Sequence, residues 1–257
     1  MKNNMIFHIP HNSTFIPPEI RNQFVLSDNK LAEELLLMTD HLTTELFKKA
    51  RTKVDVLIEA SVSRLVVDTE RFLDDKQEIM NKVGMGIIYK KTSSGESLRR
   101  ELTQKENESL IDKYYIPHHA KLNYFTKKIL IEEIREAQII DCHSFPSIPL
   151  KYEFNQDEKR PDICIGTNHP NKEKVLLETL KKYIESQGYS VDINKPFSGS
   201  IIPNKYFKDI RVNSLMIEVN RKTYLNEKTG KRSKEFFRTR SLISQIIKEI
   251  RIFNYNM

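Results

Sequence analysis

Two histidines that follow apolar, strand-like segments are the residues of this chain best suited to chemistry. His143 lies in the segment 141–144, directly after the apolar run 137–140, and His11 follows the apolar segment 5–9. Imidazole is the commonest metal ligand in proteins, and α/β sheets place their binding sites outside the carboxyl ends of their strands. We therefore expect both histidines at one edge of a sheet, where they bind one metal ion.

The two histidines leave the predicted metal site one ligand short. A catalytic zinc ion typically has three protein ligands and a fourth position for water. Asp40 is the leading candidate for the third ligand, because it is a carboxylate within a helix-like stretch otherwise spaced for core packing. Glu45, one turn later, and Asp141 are the alternatives. Either histidine alone is equally compatible with a surface or hydrogen-bonded role, but the pair at successive strand ends favours a metal.

Glu218 is the clearest candidate for a general base. It lies in the apolar segment 214–219, which reads as a buried strand. A buried carboxylate costs several kcal/mol unless a cation or metal compensates it. We expect the metal to supply that compensation, and a structural ion pair with Arg221 is the competing interpretation.

Four polar residues are predicted to bind the substrate: Arg64, Arg71, Asn220 and Arg221. The arginine fork binds a carboxylate through two hydrogen bonds. Arg71, at the exit of a predicted strand that begins near Arg64, is the better placed of the first two. The alternative for Arg64 and Arg221 is a structural ion pair with a nearby Asp68, Asp141 or Glu70.

Apolar runs and helical periodicity alternate along the chain in the way that builds a mostly parallel sheet covered on both faces. The predicted strands are 5–9, 54–59, 64–67, 86–89, 138–142, 162–166, 189–193 and 214–219. The predicted helices are 28–50, a segment from Thr103 through Pro117 to Arg135, 171–187 and 233–252. Thr103 and Glu106 have capping-box spacing. We expect one α/β domain over residues 1–257.

Composition and charge favour a cytoplasmic enzyme. None of the 257 residues belongs to an apolar run long enough for a membrane span, and the N-terminus reaches a strand too soon for a signal peptide. The two cysteines read as reduced core residues. The net charge of +7 is spread over the chain, and its clearest basic run, 228–240, predicts a solvated helix face rather than nucleic-acid binding.

Short motifs along nearly the whole chain resemble those of the N-formylglutamate amidohydrolase family, in the order that the family has them. The motifs are Ile9-Pro10-His11, Thr39-Asp40, Ser63-Arg64 with Asp68 and Arg71, Tyr115-Ile116-Pro117 with His119, Asp141-Cys142-His143-Ser144, Arg160-Pro161-Asp162 with Gly166, Pro196-Phe197-Ser198-Gly199, and Glu218-Val219-Asn220-Arg221 with Tyr224.

The resemblance implies a fold, a cofactor and a reaction. That family is similar to the zinc carboxypeptidases and aspartoacylases, which implies a three-layer α/β/α, phosphorylase/hydrolase-like fold with one catalytic Zn²⁺. The segment 141–144 then holds the last zinc ligand, 68–71 matches a substrate motif and Glu218 is the catalytic glutamate. The substrate would be N-formyl-L-glutamate, cleaved to formate and L-glutamate as in histidine degradation. A guanidinium or His119 would stabilise the oxyanion.

The chain also departs from the family pattern at residues expected to face the pocket. The family has glycine where the chain has Asn12-Ser13, asparagine at Glu70, tyrosine at His118 and paired glycines around 198–200. The carboxypeptidase-like relatives take their second ligand from a glutamate at the position of Thr14. A zinc peptidase or cell-wall amidase and a non-catalytic basic binding protein are the alternative functions. The predicted partner is a small N-acyl amino acid, with no nucleic acid and no membrane.

Overall fold

The computed structural model describes residues 4–74, 76–132, 136–169 and 171–256. Its main strands are β1 (Met5–Ile9), β2 (Val56–Glu59), β3 (Ala137–Phe145), β4 (Ile163–Thr167), β5 (Val191–Ile193) and β6 (Val212–Asn220). They form one sheet in the order β2-β1-β3-β6-β4-β5. The first four strands in that order are parallel, whereas β4 is antiparallel to β6 and parallel to β5. A separate two-stranded sheet joins β7 (Leu225–Asn226) and β8 (Lys231–Arg232).

Helices cover both faces of the six-stranded sheet, as predicted. They are α1 (Asp28–Met38), α2 (Thr43–Lys48), α3 (Gln104–Leu110), α4 (Ile116–Glu132), α5 (Lys174–Ser186) and α6 (Phe236–Asn256). One core cluster joins α2, α5 and α6 to side chains such as Phe7 and Ile217. Another joins α4 to Ile6 and Ile139, the side chains of the opposite face. The fold is therefore the predicted three-layer α/β/α arrangement with a mixed, mostly parallel sheet.

The face of the sheet under α4 changes from apolar to polar along its strands. Alternate residues of a strand point to the same face. On this face β3 begins with Ala137 and Ile139 in the core and continues with Asp141 and His143. β6 likewise begins with Val212 and carries Glu218 near its end. Because β1, β3 and β6 are parallel, their polar carboxyl-terminal halves meet at one edge of the sheet.

Two of the predicted strands and one predicted helix are wrong. Segments 64–67 and 86–89 are turns and bends, although the Asp68 amide still donates to the Ile87 carbonyl at 2.8 Å. The predicted helix 28–50 breaks between α1 and α2, where Leu42 has a φ of 63°. The backbone of these segments is irregular, and apolar spacing alone does not reveal an irregular backbone.

Most of the other predicted elements are confirmed with shifted ends. The capping box of Thr103 and Glu106 opens α3 as predicted. Pro117 is the second residue of α4, which follows a π-helical turn over Ile111–Tyr115, and the predicted end of this helix at Arg135 lies outside the described residues. Both cysteines are buried and free. Among the helices described, none is long and apolar enough to cross a membrane.

Candidate active site and metal centre

Three potential metal ligands meet at the carboxyl edge of the sheet. His11 follows β1, Asp40 lies in the break between α1 and α2, and His143 belongs to β3; all three are buried. Asp40 Oδ2 lies 3.3 Å from His143 Nδ1 and 3.8 Å from His11 Nδ1. The three ligand atoms all lie within 4.8 Å of one another. The structure thus brings the three predicted ligands together, and their donor set of two imidazoles and one carboxylate is one that binds zinc.

The free nitrogen of His11 is the sharpest sign that this site is built for a cation. Its Nε2 donates to Asp68 Oδ1 at 2.8 Å, which leaves Nδ1 as the acceptor. Nδ1 is buried without a hydrogen-bond partner among the described residues. A buried polar atom left unsatisfied in this way costs about 1–3 kcal/mol. The three converging donors therefore fit a divalent metal, which would use this lone pair.

Each histidine of the cluster is oriented by a carboxylate behind it. His11 is held by Asp68, and His143 Nε2 lies 3.0 Å from Asp141 Oδ1. Such carboxylate–imidazole pairs fix the tautomer and ring orientation of metal-binding histidines. Asp141 therefore lies behind His143 and is not one of the three grouped candidate ligands His11, Asp40 and His143.

Arg221 holds the carboxylate of Asp40 in place. Its Nη2 donates to Asp40 Oδ1 at 3.0 Å, while the Ser144 amide donates to Asp40 Oδ2 at 3.1 Å. Burial disfavours the charged form, but His143, His11 and Arg221 outweigh it and hold the pKa of Asp40 well below its usual range. Arg221 thus forms an ion pair, as its alternative interpretation required, but with Asp40 rather than with the acids named for it.

Asp68, which accepts a hydrogen bond from His11, is also contacted by cationic and hydroxyl donors. Arg64 donates to its Oδ2 from Nη2 at 2.8 Å, and the Tyr89 hydroxyl donates to the same oxygen. Burial opposes ionisation, yet the cations around it hold the pKa of Asp68 well below its usual range. The structural ion pair proposed as the alternative for Arg64 is therefore present, although Arg64 also lines the cavity described below.

Glu218 is a buried carboxylate beside the candidate metal-binding cluster, which consists of His11, Asp40 and His143. It pairs in register with His143 on the neighbouring strand, and 8% of the residue is exposed. Its Oε2 has no hydrogen-bond partner in the described part of the chain. Burial, together with the charges of Asp40 and Asp141, raises the pKa of Glu218 to about 8 against the opposing effect of His143. Within the described residues no ion pair joins it to Arg221, whose partner is Asp40.

A cavity of about 470 Å³ opens onto the cluster. Its charged walls are formed by His11, Asp40, Arg64, Glu70, Arg71, His143, Glu153, Glu218 and Arg221. Arg71 is anchored by its Nε, which donates to the Met85 carbonyl at 3.2 Å. Neither of its Nη atoms has a hydrogen-bond partner among the residues described. Its Nε also lies 3.7 Å from Asp68 Oδ2, so the described partners of the Arg71 guanidinium engage Nε and leave both Nη atoms available to a ligand.

Three side chains that the sequence assigned to the site do not line this cavity. His119 instead lines a second cavity of about 290 Å³, with its Nε2 2.9 Å from the Thr69 carbonyl oxygen. Asn220 is fully buried, donates to the Pro161 carbonyl at 3.0 Å and caps the turn that follows β6. Glu45 lies on the surface, paired with Arg232. His119 lies on α4, Asn220 at the end of β6 and Glu45 on α2. Each of these positions directs the side chain away from the cavity.

His8 is a residue of this region that the sequence analysis did not single out. It is a fully buried histidine in the middle of β1, on the same face as Ile6. The signal available in the sequence was a polar residue within an apolar strand, the same pattern that identified Glu218. His8 contacts Asp141 and His118, so it extends the polar cluster away from the cavity.

Comparison with known proteins agrees with the fold and identifies the family. A sequence model of the N-formylglutamate amidohydrolase family matches residues 3–225. The crystal structure of N-formylglutamate amidohydrolase from Ralstonia eutropha JMP134 is similar with a TM-score of 0.83 and 22% identity, over 98% of this chain and 94% of that chain. A gene product of Agrobacterium tumefaciens is similar with a TM-score of 0.69 and 17% identity, over 96% and 91%. No curated protein sequence matches the chain. The chain therefore belongs to the N-formylglutamate amidohydrolase family of amide-bond hydrolases.

Proposed function

We propose that this amidohydrolase is zinc-dependent and cleaves N-formyl-L-glutamate to formate and L-glutamate. The observation that carries the proposal is that two buried atoms without a hydrogen-bond partner among the described residues, His11 Nδ1 and Glu218 Oε2, belong to side chains that line one cavity with Asp40. The first suits a metal and the second suits a proton acceptor. Family membership supports amide hydrolysis, and the alternative of a non-catalytic basic binding protein does not agree with it.

The residues at the cavity divide the proposed reaction between them. His11, Asp40 and His143 would hold the zinc, which when bound acidifies a water molecule and polarises the scissile carbonyl. Glu218 takes a proton from the attacking water and delivers it to the nitrogen that leaves. Burial raises the pKa of Glu218, which favours a carboxylate that accepts a proton from water and then gives it to the leaving nitrogen. We assign stabilisation of the oxyanion to the Arg64 guanidinium, which lines the same cavity.

The size of the cavity favours a small substrate over a polymer. Small-molecule sites are usually clefts of roughly 300–1,000 Å³, and this cavity measures about 470 Å³. The guanidinium of Arg71, whose Nη atoms have no hydrogen-bond partner among the described residues, suits a carboxylate of the substrate. These features support an N-acyl amino acid rather than the peptide or cell-wall substrate of the alternative hypothesis.

Zinc content and substrate preference together test the proposal. We expect purified protein to contain about one zinc per chain and to release formate from N-formyl-L-glutamate. N-formyl-L-glutamine, which lacks only the charge of the side-chain carboxylate, serves as the matched control and is expected to react with a lower kcat/KM. Equal rates on both compounds would reject a dicarboxylate substrate, and full activity after removal of all metal would reject the zinc mechanism.

Replacing Arg71 with Lys is expected to lower kcat/KM for N-formyl-L-glutamate. The substitution keeps the positive charge but loses the two-pronged geometry, a loss on the order of 1.5–3 kcal/mol in transition-state binding. Steady-state kinetics of the variant measure it directly. Arg211→Lys, at an arginine paired with Asp209 on the surface, is the control. Unchanged kinetics in Arg71→Lys would make Arg71 a purely structural residue.

A further inference from the structure

Two additional histidines stand behind the metal-binding cluster. His8, in β1, lies with its Nδ1 2.8 Å from Asp141 Oδ1. Its Nε2 lies 2.7 Å from Nε2 of His118, which belongs to α4. Both histidines are buried, and His8 is completely so. Together with His143 and Asp141 they form a continuous hydrogen-bonded row from the metal-binding cluster to α4.

The contacts of His8 Nδ1 show that this nitrogen carries a proton. His8 Nδ1 faces two carboxylate oxygens, Asp141 Oδ1 and Glu70 Oε1, the latter at 3.1 Å, so this nitrogen carries a proton. Burial disfavours a charge on His8, but its contacts with Asp141 and Glu70 outweigh burial and raise its pKa to about 9. Burial and the charge of His8 lower the pKa of His118 to about 2. One proton lies between the two Nε2 atoms, and the raised pKa of His8 together with the lowered pKa of His118 favours His8 as its donor.

Asp141 is consequently fixed by three donors. Its Oδ1 lies 3.0 Å from His143 Nε2 and 2.8 Å from His8 Nδ1, and its Oδ2 accepts from the Ile201 amide at 3.2 Å. Without His8, the described residues would hold this carboxylate through His143 and one backbone amide alone. The orientation of Asp141 in turn fixes which nitrogen of His143 faces the metal-binding cluster, because a carboxylate partner selects the tautomer of a ligating histidine.

We propose that His8 and His118 are positioning residues for the metal centre: His118 anchors His8, which aligns Asp141 so that His143 presents Nδ1 to the metal. This inference rests on the proposed metal site of the enzyme and adds two residues to the support behind it. Neither histidine lines the cavity of about 470 Å³, so both act through other residues.

A second cation site is the alternative role for these residues. Zinc-binding measurements distinguish it from the positioning role. His8, Glu70 and Asp141 lie close enough together to hold a cation of their own. His8 Nδ1 is, however, hydrogen-bonded to Asp141 Oδ1 at 2.8 Å, an ordinary N–H···O distance, whereas Glu70 Oε1, 3.1 Å from the same nitrogen, has no hydrogen-bond partner among the described residues. His8 also engages His118 through its other nitrogen, which is the arrangement of a positioning pair.

Two substitutions of His8 distinguish the contact of its Nδ1 with Asp141 from the contact of its Nε2 with His118. The amide nitrogen of asparagine lies near the place of imidazole Nδ1, whereas that of glutamine lies near Nε2. His8→Asn therefore keeps a donor for Asp141, and His8→Gln does not. Zinc affinity is measured by competition with a chelator, and we expect His8→Gln to bind zinc about 10–100-fold more weakly than the parent, the range typical of outer-shell partners. His8→Asn should recover most of that loss.

His118→Asn and the double variant His8→Gln/His118→Asn complete the test. Because His118 acts only through His8, its substitution should weaken zinc binding less than His8→Gln does, and the double variant should bind no more weakly than His8→Gln alone. His169→Gln, at an exposed histidine, is the control and should match the parent. Thermal unfolding of the metal-free proteins shows whether each variant folds.

The possible outcomes are distinct. Parent protein that binds no zinc would overturn the proposed metal site and this inference with it. Tight zinc binding by the parent with equal affinity in His8→Gln and His118→Asn would overturn only the positioning role, even if the melting temperatures fall. Two ions per chain, with one lost in His8→Gln, would assign the cluster to a second metal instead.

Discussion

Replacing Glu218 with Gln is expected to lower kcat by about 10²–10⁴-fold, the usual cost of losing a proton-transfer group. Glutamine keeps the shape of the side chain but cannot take a proton from water. Since Glu218 Oε2 has no hydrogen-bond partner among the described residues, the substitution breaks no bond of that atom. Removing a buried carboxylate also removes a desolvation cost. Folding and zinc content should therefore persist while turnover falls.

A matched control separates this effect from the general cost of changing a buried glutamate. Glu34 is also buried, but its carboxylate accepts hydrogen bonds from the backbone and hydroxyl of Ser93, and it is not among the residues that line the cavity. Glu34→Gln should reduce the free energy of unfolding and leave kcat near that of the parent. Near-parental turnover in Glu218→Gln, or loss of metal and fold together, would remove Glu218 from the role of general base.

Replacing Asp40 with Asn should abolish tight zinc binding and, with it, most of the hydrolysis. The loss of affinity should exceed the roughly 10–100-fold change that outer-shell substitutions produce, because Asp40 would be a direct ligand. The variant also leaves Arg221 without its buried partner, and breaking a buried pair in this way costs about 3–5 kcal/mol. Metal analysis after dialysis and calorimetry of the metal-free protein measure the two effects separately.

Glu45→Gln is the control that addresses the third ligand directly. Glu45 lies five positions after Asp40 and was an alternative ligand, yet it pairs with Arg232 at the surface. Its substitution should leave zinc content and activity unchanged. If Glu45→Gln lost the metal and Asp40→Asn retained it, the assignment of the third ligand would be reversed.

The sequence was most informative where local pattern alone determines structure. Apolar runs identified β1, β3 and β6, and strand alternation then requires Asp141 and His143 to share a face. A charged residue within an apolar run marked Glu218, because only a functional or compensated carboxylate is retained there. The family could be recognised for a related reason: its short motifs are local patterns, and they follow one another along this chain in the family's order.

The tertiary structure decided what depends on contacts between distant segments. Asp40 reaches the cluster only because the chain leaves the helix between α1 and α2, and its amide donates to the His11 carbonyl at 2.9 Å. The pair of His8 and His118 joins residues 110 positions apart. His119 and Asn220, assigned from motifs, point away for reasons of packing. Side-chain direction depends on strand order, helix docking and irregular turns, and none of these is encoded in a local spacing of residues.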